Sequence, residues 1–268
     1  MSRRATITGA AGFVGARLAR RLAADGWQVF RPGKGDPELL SRDLGVVFYC
    51  AGLTADYDRR PFDTVEAHAS LVAEILRAGR FERFVYCSST RLYDGLAKPE
   101  MDEAEPLVFD PSDPRRVYDL SKALGENLTV TRTAGRGSVA RLSNVYDWAA
   151  GSPGFLSEWL VQARGGRDIT LQSSPHIARD YIHLDDVVEA LIAIAAGGEA
   201  IVNVAAGRLT SNAEIAQVFV DEGWTVSFTG DANPPPPPNA RVARLGRLGV
   251  RARPVADMVR GYLRGLKP

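Results

Sequence analysis

The feature that most constrains this chain is a glycine-patterned turn close to its start. Thr8-Gly9-Ala10-Ala11-Gly12-Phe13-Val14-Gly15 follows a short apolar run, 5–8. It opens a segment, 13–24, in which Val14, Leu18 and Leu22 recur at four-residue spacing, the period of one helical face. A strand that turns through glycines into a helix is the layout that receives a dinucleotide pyrophosphate. Gly9 takes the tight turn, Gly12 lets the backbone approach the phosphates, and Gly15 allows close packing of helix on strand. The helix start, with Phe13 and Val14, adds unpaired N–H groups and a partial positive charge.

Downstream, short apolar runs keep alternating with helical patterns. Segments 27–30, 46–50, 84–87 and 139–142 read as strands, and 65–78 and 118–131 as helices. Such alternation implies crossovers and a parallel sheet covered on both faces. Only residues 31–45, with Gly33, Gly35 and Pro37, separate the second and third strands. A strand and two helices do not fit there. The expectation is a short helix near 37–43 and an α/β, Rossmann-type doubly wound sheet lacking one edge strand.

After Tyr146 the pattern loosens. Helices are expected over 155–164, over 187–196 with Asp185 or Asp186 as its cap, from a Ser211 cap to Glu222, and over 255–266. Extended segments are expected at 180–184, 201–204 and 226–228. The proline run 234–238 reads as a polyproline-type surface link. The expected organisation is a dinucleotide-binding core over 1–145. A small C-terminal substrate-binding lobe occupies most of 146–268, with some segments returning to the core.

Charge excludes several classes of partner. Lys and Arg total 33 against 32 Asp and Glu, so no bulk field attracts nucleic acid or an acidic membrane surface. An anionic ligand must be held by a few placed cations. No apolar run approaches the ~20 residues of a membrane span, and Met1-Ser2-Arg3-Arg4 does not open a signal peptide. The two cysteines, Cys50 and Cys87, are too few for a disulfide framework and read as small buried side chains. A cytoplasmic location is expected, and no metal ligands are assigned.

Cofactor choice is expected at the end of the second strand. An acidic residue there holds the ribose hydroxyls of NAD. This chain has Arg31, with Lys34 close behind. A guanidinium binds a 2′-phosphate in a forked geometry, which favours NADP over NAD.

Tyr118-Asp119-Leu120-Ser121-Lys122 places a phenol and an ammonium four apart, on one helical face. A free phenol has a pKa of ~10, and a nearby cation lowers it towards a useful range. Tyr86-Cys87-Ser88-Ser89-Thr90 ends a strand about one crossover earlier. Parallel sheets bind ligands beyond the carboxyl ends of their strands, so the Ser hydroxyls are expected to face the Tyr.

These segments, in this order, resemble the extended short-chain dehydrogenase/reductase family, the NAD-dependent epimerase/dehydratases. TGAAGFVG, YCSSTRLYDG, YDLSKALGE, ARLSNVYD and RDYIHLDDV each resemble a family motif, and together they cover nearly the whole chain. The resemblance implies Tyr118 as acid/base and Lys122 as the group that orients the ribose and tunes the Tyr. It implies Ser89 as the holder of the substrate oxygen, with Thr90 beside it. Ala51 and Gly52 fall on the cofactor side. It further implies a nucleotide-sugar substrate, with Arg179 at a diphosphate-binding position and Asn144 at a substrate-contacting one. A homodimer built on helices 65–78 and 118–131 is compatible with the family.

Departures from the family narrow the reaction. The family's second diphosphate arginine falls in the proline-rich region, where Arg241 is a weak substitute. His68, where the family's early helix carries Asn, either touches the active site or is a helix-surface residue, and the surface reading is preferred. Sugar 4,6-dehydratases carry an acidic pair after the strand-end Ser/Thr, and this chain has Thr90-Arg91. Dehydratase chemistry is therefore disfavoured. The resulting expectation is an NADPH-dependent 4-keto sugar reductase. Alternatives are a nucleotide-sugar 4-epimerase with bound NAD, a reductase of a non-sugar ketone, and a non-catalytic NADP sensor.

Overall fold

The computed structural model describes residues 3–266. Its centre is a six-stranded, all-parallel sheet made by β1 (Arg4–Thr8), β2 (Gln28–Phe30), β3 (Val46–Tyr49), β4 (Arg83–Ser89), β6 (Gly137–Leu142) and β10 (Ile201–Val204). The spatial order is β10-β6-β4-β3-β1-β2. The chain leaves β1 for β2 on one side and then crosses to β3 on the other. That reversal makes the crevice at the carboxyl ends of β1 and β3 the place where such sheets bind ligands. β2 is an edge strand, and the short helix Glu38–Ser41 fills the interval before β3. The expected loss of one edge strand is what the sheet has.

Side chains alternate across this sheet with the period of two that a strand imposes. Ala5, Ile7, Phe48, Val85, Cys87 and Ala140 face one apolar layer, shared with helices Phe13–Ala24 and Leu184–Gly197. Val47, Tyr49, Phe84, Tyr86 and Val139 face the other, shared with Leu71–Ala78 and the long helix Val117–Arg132. Both faces are covered, which explains why these strands read as nearly continuous apolar runs.

The remaining strands are β5 (Glu100–Met101), β7 (Asn144–Tyr146), β8 (Asp168–Leu171), β9 (Ala178–His183), β11 (Leu209–Ser211), β12 (Thr225–Phe228) and β13 (Asn239–Ala240). β7, β9 and β11 form a small sheet, and β8 pairs with β12. A separate apolar cluster of Tyr146, Trp159, Tyr181, Phe219, Trp224 and Leu263 fills this second region. Ser211 caps helix Asn212–Asp221 in a reciprocal box with Glu214, as expected from the sequence. The cap of Leu184–Gly197 differs from expectation. His183 holds it, its Nδ1 accepting the Asp185 N–H at 3.2 Å, while Asp185 itself pairs with Arg17.

The helix expected over 65–78 is longer and interrupted. It starts at Pro61, widens into a π-turn at Glu66–Ser70, and resumes at Leu71. The wide turn frees carbonyls from the helical ladder. Tyr49 donates its hydroxyl to Ala67 O at 2.5 Å, and Tyr86 donates to His68 O at 2.9 Å. Two core phenols thus fasten this turn to the sheet.

Candidate active site

Three glycines shape the mouth of the crevice, each for a separate steric reason. Gly9 has φ +70°, and a Cβ there would meet the Cys50–Ala51 backbone at 2.8 Å. At Gly12 a Cβ would stand 3.2 Å from Gly9 O, and at Gly15 it would overlap that carbonyl. Gly12 also caps the helix, its N–H on Gly9 O at 2.9 Å. The backbone here leaves a cradle that side chains would fill, in front of a helix start with unused N–H groups. Phe13 and Val14 are half-buried on that first turn, and Ala51 and Gly52 form the facing wall. These residues fit a dinucleotide pyrophosphate. Arg31 leaves the end of β2 exposed, with no hydrogen bond or ion pair to another described residue.

The candidate proton-transfer residues converge beyond β4. That strand runs three residues past the point where Tyr49 pairs with Tyr86, so Ser89 is carried forward beside Leu142. Ser89 Oγ accepts the Arg91 N–H at 3.1 Å. That bond leaves the Ser89 hydroxyl free to donate elsewhere, and its side chain is hydrogen-bonded to Tyr118. Tyr118 and Lys122 are 6% and 5% exposed, so this pair is lodged in the interior and is not a surface couple. Lys122 donates to Cys87 O at 2.8 Å and lies over the Tyr86 ring at 4.9 Å. Burial depresses its pKa to about 8. Thr90 is half-buried alongside, 3.4 Å from Leu142 O.

The tuning of Tyr118 differs from the sequence expectation. Burial raises its pKa above the ordinary phenol value. The Ser89 hydrogen bond and the Arg91 cation act downward, and Asp119 and Tyr57 act upward. The cation nearest this balance is Arg91 and not Lys122, whose ammonium is engaged by the Cys87 carbonyl.

Close packing fixes the helix that carries the pair. Gly125 faces Tyr86 and the π-turn, where a Cβ would lie 2.5 Å from both the Tyr86 hydroxyl and His68 O. The next residue, buried Glu126, takes a two-pronged ion pair from Arg141 at 2.9 and 2.7 Å. Arg141 also donates to Tyr93 at 2.8 Å, which ties helix, sheet and the Thr90–Tyr93 turn into one unit.

His68 overturns its reading as a surface residue, for it is fully buried. Its Nε2 accepts the Leu53 N–H at 3.2 Å. Its Nδ1 lies 2.9 Å from Ser121 Oγ, whose own hydrogen goes to Tyr118 O at 2.9 Å. The only consistent arrangement is neutral, with the proton on Nδ1. Burial and then the Lys122 charge lower its pKa to about 3. Its ring meets Tyr118 edge-on at 5.1 Å. His68 therefore links the cofactor-side loop at Gly52–Leu53 to the first turn of the catalytic helix. Sequence reading missed this, because the π-turn that rotates His68 inward has no local signature.

The substrate-side residues lie on the second region. Asn144 is exposed at the start of β7 and donates to Asp180 O at 3.1 Å, so its amide serves the strand junction. Asp180 is held by Ser143 and by the N–H groups of Ala206, Gly207 and Arg208, and Asp185 by Arg17. Neither carboxylate engages Arg179. Its guanidinium lies over Phe155 at 5.3 Å and beside the buried Tyr181 hydroxyl, and its Nη1 makes no well-formed hydrogen bond among the described residues. A buried, unmatched guanidinium N–H is costly unless a ligand takes it. Arg241 is bound to Glu100 at 2.8 Å and is not available as a second arginine of this kind. Cys50 and Cys87 are free thiols 3.6 Å apart.

Comparison with known proteins identifies the family. The model for the NAD dependent epimerase/dehydratase family matches residues 5–205, and the chain belongs to that family of extended short-chain dehydrogenase/reductase enzymes. A probable dTDP-4,6-dihydroxy-2-methyloxan-3-one 4-ketoreductase of Streptomyces antibioticus is 33% identical over 143 residues, 47% of this chain and 46% of that protein. UDP-glucose 4-epimerase of Mycolicibacterium smegmatis is 27% identical over 290 residues, 91% of this chain and 88% of that one. Among solved structures, MoeE5 in complex with UDP-glucose and NAD superposes with a TM-score of 0.79 at 22% identity, covering 98% of this chain and all of that one. The last likeness concerns the fold.

Proposed function

We propose that the chain is an NADPH-dependent reductase of a 4-keto sugar nucleotide. The observation that carries this reading is Arg31, a cation with no partner among the described residues, where NAD binders place a carboxylate. Gly9, Gly12, Phe13, Val14 and Gly15 hold the pyrophosphate, Ala51 and Gly52 line the opposite wall, and Arg31 takes the 2′-phosphate. The bound cofactor supplies a hydride to the ketone carbon. Tyr118 gives its proton to the oxygen that becomes the alcohol, and Ser89 hydrogen-bonds that oxygen as its charge develops. Lys122 orients the ribose. Arg179 pairs with the diphosphate of the substrate, and Asn144 and Thr90 border the sugar.

Arg91 supports reduction over dehydration. It stands where a 4,6-dehydratase needs an acid, and a guanidinium does not give up its proton. A second reading, a 4-epimerase with tightly held NAD, is favoured by the similarity to UDP-glucose 4-epimerase over most of the chain. The enzyme is proposed to be a homodimer. Phe62, Val65, Leu120 and Leu124 are exposed apolar side chains on two helices packed side by side, Pro61–Val65 and Val117–Arg132. The unbridged thiols fit a reducing, cytoplasmic setting.

A melting-temperature series tests the cofactor and the substrate class together. A ligand at about 100 times its Kd stabilises the native state by ~2.7 kcal/mol. NADPH is expected to raise the melting temperature more than NADH, and Arg31→Glu to reverse that order. A nucleoside diphosphate added on top is expected to raise it again, and Arg179→Ala to remove that second increment. Equal shifts with NADPH and NADH in both proteins contradict the NADP reading.

A further inference from the structure

Lys122 is the expected partner of the candidate catalytic phenol, yet in this chain a second cation, Arg91, packs on the Tyr118 ring while Lys122 lies over that of Tyr86. The Arg91 guanidinium lies 5.1 Å from the centre of the Tyr118 ring and 4.6 Å from that of Tyr57. The two rings are themselves 5.3 Å apart, so the three side chains form one compact triangle. Three contacts hold Arg91 in it. Its Nη2 donates to the Tyr57 hydroxyl at 2.8 Å and to Arg115 O at 3.4 Å, and its Nε lies 3.3 Å from Asp119. Asp119 is fully buried and takes Arg116 on its other oxygen at 3.0 Å. A buried carboxylate needs such partners. Asp119 directly follows Tyr118 in the chain, so it anchors Arg91 against the helix that presents the phenol.

Every group that faces Tyr118 has a defined charge. From the π-turn comes His68, neutral and with both nitrogens engaged. From the turn after β4 comes Arg91, and from β4 itself Ser89 and the neutral Tyr86. The loop before Pro61 contributes Tyr57. The helix itself contributes Asp119, with Arg116 behind it, and Lys122, bound to Cys87 O. Of the two cations near the ring, Lys122 is desolvated and engaged by a carbonyl, whereas Arg91 keeps its charge at any working pH.

We propose that Arg91 is a positioning residue for proton transfer: packed on the rings of Tyr57 and Tyr118 and anchored on Asp119, it supplies the fixed positive charge that stabilises the Tyr118 phenolate left after the proton is given. The residue that replaces a dehydratase acid would then serve the opposite purpose, sharpening a site for simple hydride and proton delivery. This inference rests on Tyr118 being the proton donor, and its test does not use turnover.

The test is an ultraviolet titration of tyrosinate in the whole, ligand-free protein. The chain has eight tyrosines, so the Tyr118 signal is obtained by subtracting the curve of Tyr118→Phe. An opposite charge at this range shifts a pKa by about one unit or more. Arg91→Met is expected to move the Tyr118 midpoint up by roughly one pH unit, and Arg91→Lys, which restores a charge without the fork, to recover part of that shift. A midpoint unchanged in both variants, with circular dichroism like the parent, overturns the proposal. If Arg91→Met does not fold, the Lys variant decides alone: a midpoint at or below that of the parent overturns the proposal, and a rise smaller than one unit supports it. Loss of the Tyr118 role itself would be seen separately, as full activity of Tyr118→Phe.

Discussion

Burial of charge at single residues sets how this protein responds to pH. Lys122 is desolvated in the folded state, where its pKa is about 8, and solvated in the unfolded chain, at ~10.4. The folded state therefore binds fewer protons between those values, and stability from this group rises with pH across that window. Below it the ammonium costs about 3 kcal/mol. Lys122→Met is expected to unfold at higher denaturant near neutral pH, by about 1–3 kcal/mol after loss of the Cys87 contact, while losing activity. His68 gives the matching acid limb. Its folded pKa of about 3 lies below the ordinary ~6.5, so the unfolded chain takes up a proton that the folded chain refuses. Stability falls as pH drops from about 6.5 to about 3, by up to ~1.4 kcal/mol per unit. His68→Asn is expected to be less stable near neutrality by about 1–3 kcal/mol, since the Leu53 N–H and the Ser121 hydroxyl lose their partner. It is also expected to show a flatter acid limb in denaturant titrations at stepped pH.

The residues legible in the sequence were those whose partners lie within one helical turn or one strand end. Tyr118 and Lys122 share a helix face by spacing alone, and Ser89 follows from its place at the end of β4. His68, Tyr57 and Arg91 were not legible as a group. Their meeting depends on a π-turn and on a loop, and neither carries a periodic pattern. Arg91 was noticed only as a missing acid.

At the scale of elements, the helix Val117–Arg132 is seated by an absence of side chain. Gly125 lets it approach Tyr86 and the π-turn more closely than any Cβ allows. Gly125→Ala is expected to cost about 1–3 kcal/mol by overpacking. It is also expected to lower turnover more than cofactor affinity, because the phosphate cradle at Gly9–Gly15 is untouched while Tyr118 is displaced. Equal losses in both would place the damage in the whole domain instead. The sequence indicated most elements correctly because both sheet faces are covered and the runs are short and apolar. It erred where caps and turns depend on tertiary partners. Asp185 was drawn to Arg17, leaving His183 to cap its helix, and Tyr49 and Tyr86 captured carbonyls of the widened turn.

For the whole molecule, the exposed apolar strip on the paired helices has the strongest consequence. Phe62 is 89% exposed, and Val65, Leu120 and Leu124 are exposed on the same pair of contacting helices. A strip of this kind on a monomer is normally an interface. Sedimentation is expected to give a dimer, and Phe62→Glu with Leu124→Glu to give a folded monomer. A parent protein that sediments as a monomer at high concentration contradicts the assembly. The sequence conveyed the parallel sheet and, through the short interval 31–45, its missing edge strand, but it had no means of showing which apolar helix positions stay uncovered.

Ser89, Tyr118 and Lys122 are proposed to deliver a proton to a carbonyl oxygen while its carbon accepts a hydride. The most direct measurement supplies NADPH deuterated at the transferable position with a 4-keto sugar nucleotide, and follows the label by mass spectrometry. The account predicts one deuterium at the sugar 4-carbon in the parent protein, and a rate lower by roughly 10²–10⁴-fold in Tyr118→Phe. Unlabelled product, or 4-epimers interconverted with no NADPH consumed, would contradict it.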